Sequence, residues 1–439
     1  KPTPPQSSKQ YLFLGGVDAE GKDKSNDLSA LILEAAMAVH MREPVLNVRW
    51  HPGLDSPLKD LATRAASKMQ GQIQFCNDRL IPNGLIRIGI NPADAHNYAG
   101  SGCSRIDAGP CNGNHEAFFP PIFVLMETLE EMEHLDSIDA LIDRFAENFR
   151  KTLAQRFAKE LKRTEPYWDT GFTNEGGIHF HLESLLIRDC VDRGLNLCQG
   201  GARYVIHAFH LVGFATLVDS FVALEKLICS GKMSLGEFKE ILQNNYADHE
   251  PLRRQIRKLP AFGNDDPEAD DLAERLAKIM VSAIEELKPP QGHHVLPSFY
   301  SLLNHRSAGA NCGATPDGRL AGEPLSENQS PTYGRTEKGI TALFNSLWRL
   351  PFDRATSGGL NVMLMSDIPP KALRALIDTY FSRGGSILGP TFTDRAMLED
   401  AKKNPEHHAD LLVRIHGFSD WFVGLPEEEQ KEVIERTNY

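Results

Sequence analysis

The sequence predicts an α/β fold on a largely parallel sheet, and three observations point there. Short apolar runs of β type alternate with segments of helical periodicity, no segment repeats, and the composition is that of a globular protein. With 439 residues, 41% of them hydrophobic and 24% charged, there is enough chain for one large domain or two to three smaller ones. The formal net charge of −12, with no Lys/Arg-rich block, argues against nucleic acid and anionic membrane as partners. No apolar run reaches the roughly 18 residues needed to span a bilayer, and residues 1–10 (KPTPPQSSKQ) lack the apolar centre of a signal peptide. Seven scattered cysteines, an odd number, read as reduced thiols of a cytoplasmic protein rather than a disulfide framework.

In chain order, residues 1–10 form a Pro/Ser tail or linker. YLFLGGV (11–17) reads as a strand and turn, and 28–41 as a helix apolar almost all round and therefore buried. PVLNVRW (44–50) is a β run, 58–70 an amphipathic helix, and GLIRIGI (84–90) a further strand. A Gly-, Asn- and Ser-rich loop (94–115) follows, then a helical region over 117–163. Residues 182–194 and 223–246 continue the helices, with glycines near several ends. β segments are expected near 340–347 and 358–366. The tail from 391 reads as helix, strand, loop and a last helix with Pro426 in its first turn. Because the chain opens on a Gly-Gly turn and an apolar helix, with sheet edges left uncovered, it is expected to be half of a larger closed barrel.

Two stretches carry chemistry. VRIHGFSDWF (413–422) is a β run ending at Gly417 between bulky residues; an isolated glycine there would ordinarily supply a left-handed turn. SGCSRID (101–107) presents Cys103 in a Gly-rich setting, where an inert thiol, a metal ligand or a nucleophile are all open. Cys103 and Cys111, with His96 and His115, match no common zinc spacing.

The 413–422 segment resembles the signature of the glycyl radical enzymes. GGARY (200–204), FGNDD (262–266), ATPDGRLAGEPLSENQSP (314–331), FLGGVD (13–18) and VRWH (48–51) resemble blocks of the same family in the same order, over its C-terminal half. The resemblance implies the second half of a ten-stranded α/β barrel, two five-stranded parallel half-sheets set antiparallel. It divides the chain into a barrel part (11–312) with the cysteine loop near 100–115, and a glycyl radical domain (313–439). It implies that Gly417 holds the radical, with Arg414, Phe418 and Phe422 beside it. Cys103, at the tip of a loop inside the barrel, would carry the thiyl, and burial would shield both from solvent and oxygen. Turnover would need no cofactor. A separate activating enzyme with S-adenosylmethionine and an iron–sulfur cluster would install the radical. The remaining barrel would be another chain or sequence beyond this one, and a homodimer acting on a small molecule is expected.

The sequence departs from the family after the cysteine. Most dehydratase and lyase members read Gly-Cys-x-Glu, with the Glu as base, whereas here Gly102-Cys103-Ser104-Arg105 stands. Arg105 cannot serve as a base but suits an anion clamp, or it pairs with Asp107. Asp107 and His115 are candidates for a displaced base. In GGIHFHLES (176–184), His179 and His181 are read on one face of a short strand continued by Glu183, as substrate contacts or hydrogen-bonded structural histidines. The functional expectation is a radical lyase cleaving a C–O, C–N, C–S or C–C bond of a small polar or anionic substrate. Alternatives are radical addition to fumarate, arylacetate decarboxylation, and a non-catalytic or repair radical subunit. The last has no need of the Cys103 loop. A ribonucleotide-reductase-like role lacks the Cys-x-x-Cys pair after the radical segment.

Overall fold

The computed structural model describes residues 10–102, 104–170, 181–415 and 417–439. Strands β1 (Tyr11–Gly15), β2 (Val45–Trp50) and β3 (Ile73–Asn77) pair in parallel. Two short strands, β4 (Ala99–Gly102) and β5 (Arg105–Asp107), form an antiparallel hairpin. Strands β6 (Asn112–Phe119), β7 (Tyr204–Leu211) and β8 (His293–Ser298) form a parallel sheet. Strands β9 (Leu360–Leu364) and β10 (Ile387–Phe392) are parallel to each other, and β10 joins β3 antiparallel, giving the sheet order β1-β2-β3-β10-β9. A parallel bridge from Ser298 to Ser357 couples the end of β8 to the run into β9. Five parallel strands thus meet three others running against them at the β3–β10 seam. This is the expected antiparallel join of two half-sheets, but with strands from both sides rather than one. The strands on either side of residues 312/313 share a sheet, so that division does not separate two sheets. Strands β11 (Leu412–Arg414) and β12 (Ser419–Trp421) form a small antiparallel pair near the C-terminus.

β2 and β10 are buried along their whole length, as strands covered on both faces must be. Helix Ser56–Lys68 packs on β3 and β10, with Asp27–Val39 and Pro370–Ser382 against it, while Pro121–Glu131, Ile138–Thr170, Phe214–Leu224 and Pro267–Glu285 pack on one another, the last also against β8. Their core is aromatic: Phe145 packs edge-on against Phe221 at 5.4 Å, and Phe119 against Phe149 at 5.1 Å.

Several expectations are corrected. Residues 84–90 are not a strand, because Leu80–Arg87 is a helix. Its buried Ile81 and Leu85 stand four apart, the helical spacing, and the Asn77 side chain accepts from the amides of Arg79 and Leu80 at its start. Residues 340–347 are likewise a helix, whose Phe344 packs with its ring tilted against Tyr380 at 4.6 Å; this tertiary contact overrides the β preference of the run. The helical region after 117 begins only at Pro121, since 117–119 complete β6. The helix Asp27–Val39 buries Leu33 but exposes Leu28 (59%), Leu31 (59%) and Val39 (61%), so it is not buried all round. His181 and Glu183 lie in a helix, His181–Leu186, where residues two apart cannot share a face; His179 lies outside the described residues.

Truncating Phe221, fully buried against Phe145, to alanine is expected to destabilise the protein by about 3–5 kcal/mol. Denaturant unfolding of the full-length protein checks this; an unchanged midpoint would contradict the assigned core.

Candidate functional site

The hairpin β4–β5 pairs Ala99 with Asp107, Gly100 with Ile106 and Gly102 with Arg105, with an irregularity between Gly100 and Gly102. Cys103, between Gly102 and Ser104 in the chain, lies outside the described residues. Gly100 packs closely: a Cβ there would stand 3.1 Å from Phe13 and 3.2 Å from the Arg105 carbonyl, so these neighbours would have to give by a few tenths of an ångström. The hairpin is stitched into the sheet seam. Ser357 Oγ accepts from the Ile106 amide and donates to its carbonyl, both at 3.0 Å, and the Gly358 amide donates to the Ser104 carbonyl at 2.9 Å.

The blocks near the chain start hold the base of this hairpin. The Arg49 guanidinium pairs with Asp78 at 2.6 Å, donates to the His96 carbonyl and lies 4.2 Å above the Tyr98 ring. Gly16, at φ +108°, leaves room for that guanidinium, which a Cβ would approach to 2.2 Å. Arg203 of the GGARY block binds Asp94 at 3.0 Å and Asp189 at 2.7 Å, and the Tyr204 hydroxyl also donates to Asp94. Cys111 donates its thiol to Asp94, and burial, aided by that carboxylate, pushes its pKa up to about 11, so it stays a thiol.

One side chain joins the hairpin to the C-terminal segment. Gln74 of β3 accepts, on Oε1, from Ser104 Oγ at 3.1 Å and from the guanidinium of Arg414. Its Nε2 donates to Asn47 at 2.9 Å, which fixes the amide's orientation. Arg414, fully buried, also donates from Nε to Asn361 at 3.2 Å. Gly417, three residues on, is buried. The loop around it is closed by the Ile415 amide donating to the Phe418 carbonyl at 2.8 Å, and Ser419 Oγ donates to the Gly71 carbonyl at 2.6 Å. Arg436 donates to the carbonyls of Arg414 and Ile415 and pairs with the buried Glu327 at 3.1 Å; Glu327 in turn accepts from Asn361. Glu327 comes from the 314–331 block, which thereby braces the Gly417 loop.

The structure places the remaining candidates on two faces. Arg105 is buried and occupied: it pairs with Asp107 at 3.1 Å and with Glu116 of β6. Asp107 also accepts from the Gly109 amide at 2.8 Å. Arg105 therefore meets two carboxylates of its own chain, and its pairing with Asp107 is the alternative the sequence offered beside an anion clamp. His115 is not beside Glu116. Its ring stacks on His207 at 4.9 Å, and His207 packs against Phe157 of the outer helix, because neighbouring strand residues point to opposite faces. His207 contacts His293 at 2.9 Å; burial, and then the adjoining histidines, push its pKa down to about 3. On the Glu116 face, His210 of β7 is completely buried between Phe118 and Tyr300, with ring separations of 4.8 and 5.0 Å. Its Nε2 is 3.9 Å from Glu116, and burial, with the Arg105 charge, holds its pKa well below the usual histidine range.

Sequence reasoning did not single out Gln74, Ser104, Glu116, His210, Glu327 or Arg436. Gln74 left a signal as a polar residue inside the apolar run IQFCN, and Ser104 and Glu327 lie within segments already singled out, SGCSRID and the 314–331 block. Replacing Gln74 by leucine would leave the Ser104 hydroxyl and an Arg414 N–H without this acceptor. The expected cost is about 1–3 kcal/mol, with faster amide hydrogen exchange at 104–107 and 412–415 together. Unchanged exchange in either segment would show that Gln74 does not couple them.

The pattern of the pyruvate formate lyase-like family matches residues 5–309, and that of the glycine radical family matches 325–423. The chain is 29% identical to the probable dehydratase YbiW of Escherichia coli (strain K12), over 98% of this chain and 57% of that protein. It is 30% identical to the (2S)-3-sulfopropanediol dehydratase of Klebsiella oxytoca, over 98% and 55% respectively. Its fold superposes on the glycerol-bound B12-independent glycerol dehydratase from Clostridium butyricum with a TM-score of 0.89 at 27% identity, covering 98% of this chain and 57% of that one. The chain thus spans little more than half the length of these relatives.

Proposed function

The chain belongs to the pyruvate formate lyase-like family, and on that premise we propose that it is the radical-bearing part of a glycyl radical lyase acting on a small polar substrate. Gly417 carries the radical on its α-carbon, delocalised over the two flanking peptide groups, a planar arrangement that a side chain on that carbon would prevent. Cys103 gives its thiol hydrogen to that radical, and the resulting thiyl abstracts a hydrogen atom from the substrate. The radical formed next to a leaving group then expels it. The two centres exchange hydrogen reversibly because S–H and glycyl C–H bonds are similar in strength.

The observation that carries this reading is the shared acceptor on Gln74. It ties Ser104, next to Cys103 in the chain, and Arg414, three residues before Gly417, to one oxygen atom. Relatives named as dehydratases, together with isethionate sulfite-lyase at 26% identity, support elimination chemistry.

The reading includes partners. A radical S-adenosylmethionine enzyme with an iron–sulfur cluster installs the radical, and turnover itself uses only the protein radical. The outer edges of β1 and β6 have no partner strand among the described residues. Exposed leucines follow β1 in sequence, Leu28 and Leu31, and others, Leu182, Leu185 and Leu186, precede Arg188, whose amide donates to the Pro110 carbonyl near the start of β6. Residues outside this chain close the barrel there. The enzyme is anaerobic, cytoplasmic and homodimeric in this reading.

After anaerobic activation, electron paramagnetic resonance of the full-length enzyme should show a glycine-centred doublet that Gly417→Ala abolishes. Full signal in that variant would refute the radical assignment. Cys103→Ser should keep the doublet and lose turnover; undiminished turnover would remove Cys103 from the mechanism.

A further inference from the structure

Arg414 is gripped at both ends, and the contacts that grip it close a ring. Its Nε donates to Asn361 Oδ1 at 3.2 Å, and Asn361 Nδ2 donates to Glu327 Oε1. Arg436 Nη2 pairs with the other oxygen of Glu327, Oε2, at 3.1 Å, and Arg436 Nη1 returns to the Arg414 carbonyl. Nη2 also donates to the next carbonyl, that of Ile415. In a strand, successive carbonyls point to opposite sides. One guanidinium takes both only where the strand has ended, and β11 ends at Arg414. Arg436 thus fixes the bend by which the chain leaves β11 for Gly417.

Arg436 is itself held from both sides along the chain. Ahead of it, Glu432 on the helix Glu427–Glu435 lies 3.6 Å from its guanidinium, and Glu432 is fixed in turn by Arg306 and by the Tyr333 hydroxyl at 3.1 Å. Burial, with the charge of Glu432, pushes the Tyr333 pKa well up, so the hydroxyl keeps the proton it donates. After Arg436 the chain lies along β9. Asn438 is bridged in parallel to Met363, the Tyr439 amide donates to the Met363 carbonyl at 2.8 Å, and the Tyr439 carbonyl accepts from the Met365 amide at 3.2 Å. Glu327 and Glu432 are both buried, so removing the Arg436 charge would strand them.

We propose that Arg436 is the positioning residue of the radical loop: its fork, locked between Glu327 and Glu432, sets the pose in which Gly417 meets its hydrogen donor. The claim about the radical rests on the Gly417 and Cys103 reading above. A lysine would keep the charge and the pair with Glu327. Its single ammonium has no planar fork to hold two successive carbonyls and a carboxylate in fixed directions. Charge and pose are therefore separable by one substitution.

The test compares the full-length wild type with Arg436→Lys and, because stripping the charge alone would strand Glu327, with the double variant Arg436→Met/Glu327→Gln. Phe221→Ala, which lowers stability without touching this ring, is the control. Before activation, amide exchange over 412–419 should be about tenfold or more faster in both Arg436 variants than in Phe221→Ala. After anaerobic activation in deuterated buffer, the glycine-centred doublet should collapse to a singlet. The Gly417 radical takes deuterium from the exchanged Cys103 thiol, and the thiyl then takes the protium back, leaving a deuterated radical. Both Arg436 variants should form the doublet but collapse it about tenfold or more slowly than wild type. An Arg436→Lys enzyme with wild-type exchange and collapse overturns the proposal, whatever the double variant does, because charge alone would then suffice. Faster exchange with an unslowed collapse overturns it too, since the loop would be looser without being displaced. Should the lysine variant fail to fold, the double variant is judged by the same two rates. Wild-type enzyme without a doublet refutes the Gly417 reading, and a wild-type doublet that never collapses refutes the Cys103 step; amide exchange then decides alone whether Arg436 holds the loop.

Discussion

A single carbonyl oxygen, Oε1 of Gln74, accepts from both halves of the candidate site, and the rest of the arrangement depends on it. An amide oxygen has two lone pairs, and here Ser104 takes one and Arg414 the other. The amide cannot rotate away, because its nitrogen is held by Asn47 on the neighbouring strand. In a buried, low-dielectric setting such bonds are strong when made and costly when broken. The hairpin and the Gly417 loop therefore share one reference point on β3, although more than three hundred residues separate them along the chain. From Arg414 the chain of contacts runs through Asn361 to Glu327 and Arg436, whose guanidinium covers the carbonyls leading into the loop.

Much of the remaining sequence serves to place the β4–β5 hairpin. Arg49, Asp78, Tyr98 and His96 form one cluster at its base, and Asp94 with Arg203 and Tyr204 forms another. Each joins elements distant in sequence through a charge-assisted bond or a cation–π contact, interactions with definite geometry. Hydrophobic packing alone would hold the hairpin less specifically, since close-packed apolar surfaces tolerate sliding better than a paired guanidinium does.

Several motifs were legible before any coordinates. Gly417 and Cys103 stand in segments whose order and composition identify the family, and the strands β1, β2, β9 and β11 read correctly from apolar runs. Helix and strand were confused at 84–90 and 340–347, because short β-branched runs satisfy both patterns and only packing partners such as Tyr380 arbitrate. The helix read over 28–41 was expected to be buried from its composition, although the helix Asp27–Val39 bears exposed leucines on its outer face.

The sequence by itself singled out one glycine and one cysteine as the candidate radical centres, because that signal is local: a few residues around each suffice to carry it. Only the tertiary structure decided the electrostatics around them. Arg105, which the sequence leaves open between an anion clamp and a pair with Asp107, also meets a carboxylate eleven positions away that reaches it from β6. His115, one residue before that carboxylate, points to the opposite face and stacks on His207 instead. The physical reason is the two-residue alternation of a strand combined with a register set by neighbouring strands. Neither can be read from one position, and together they decide which of two adjacent polar residues faces the site.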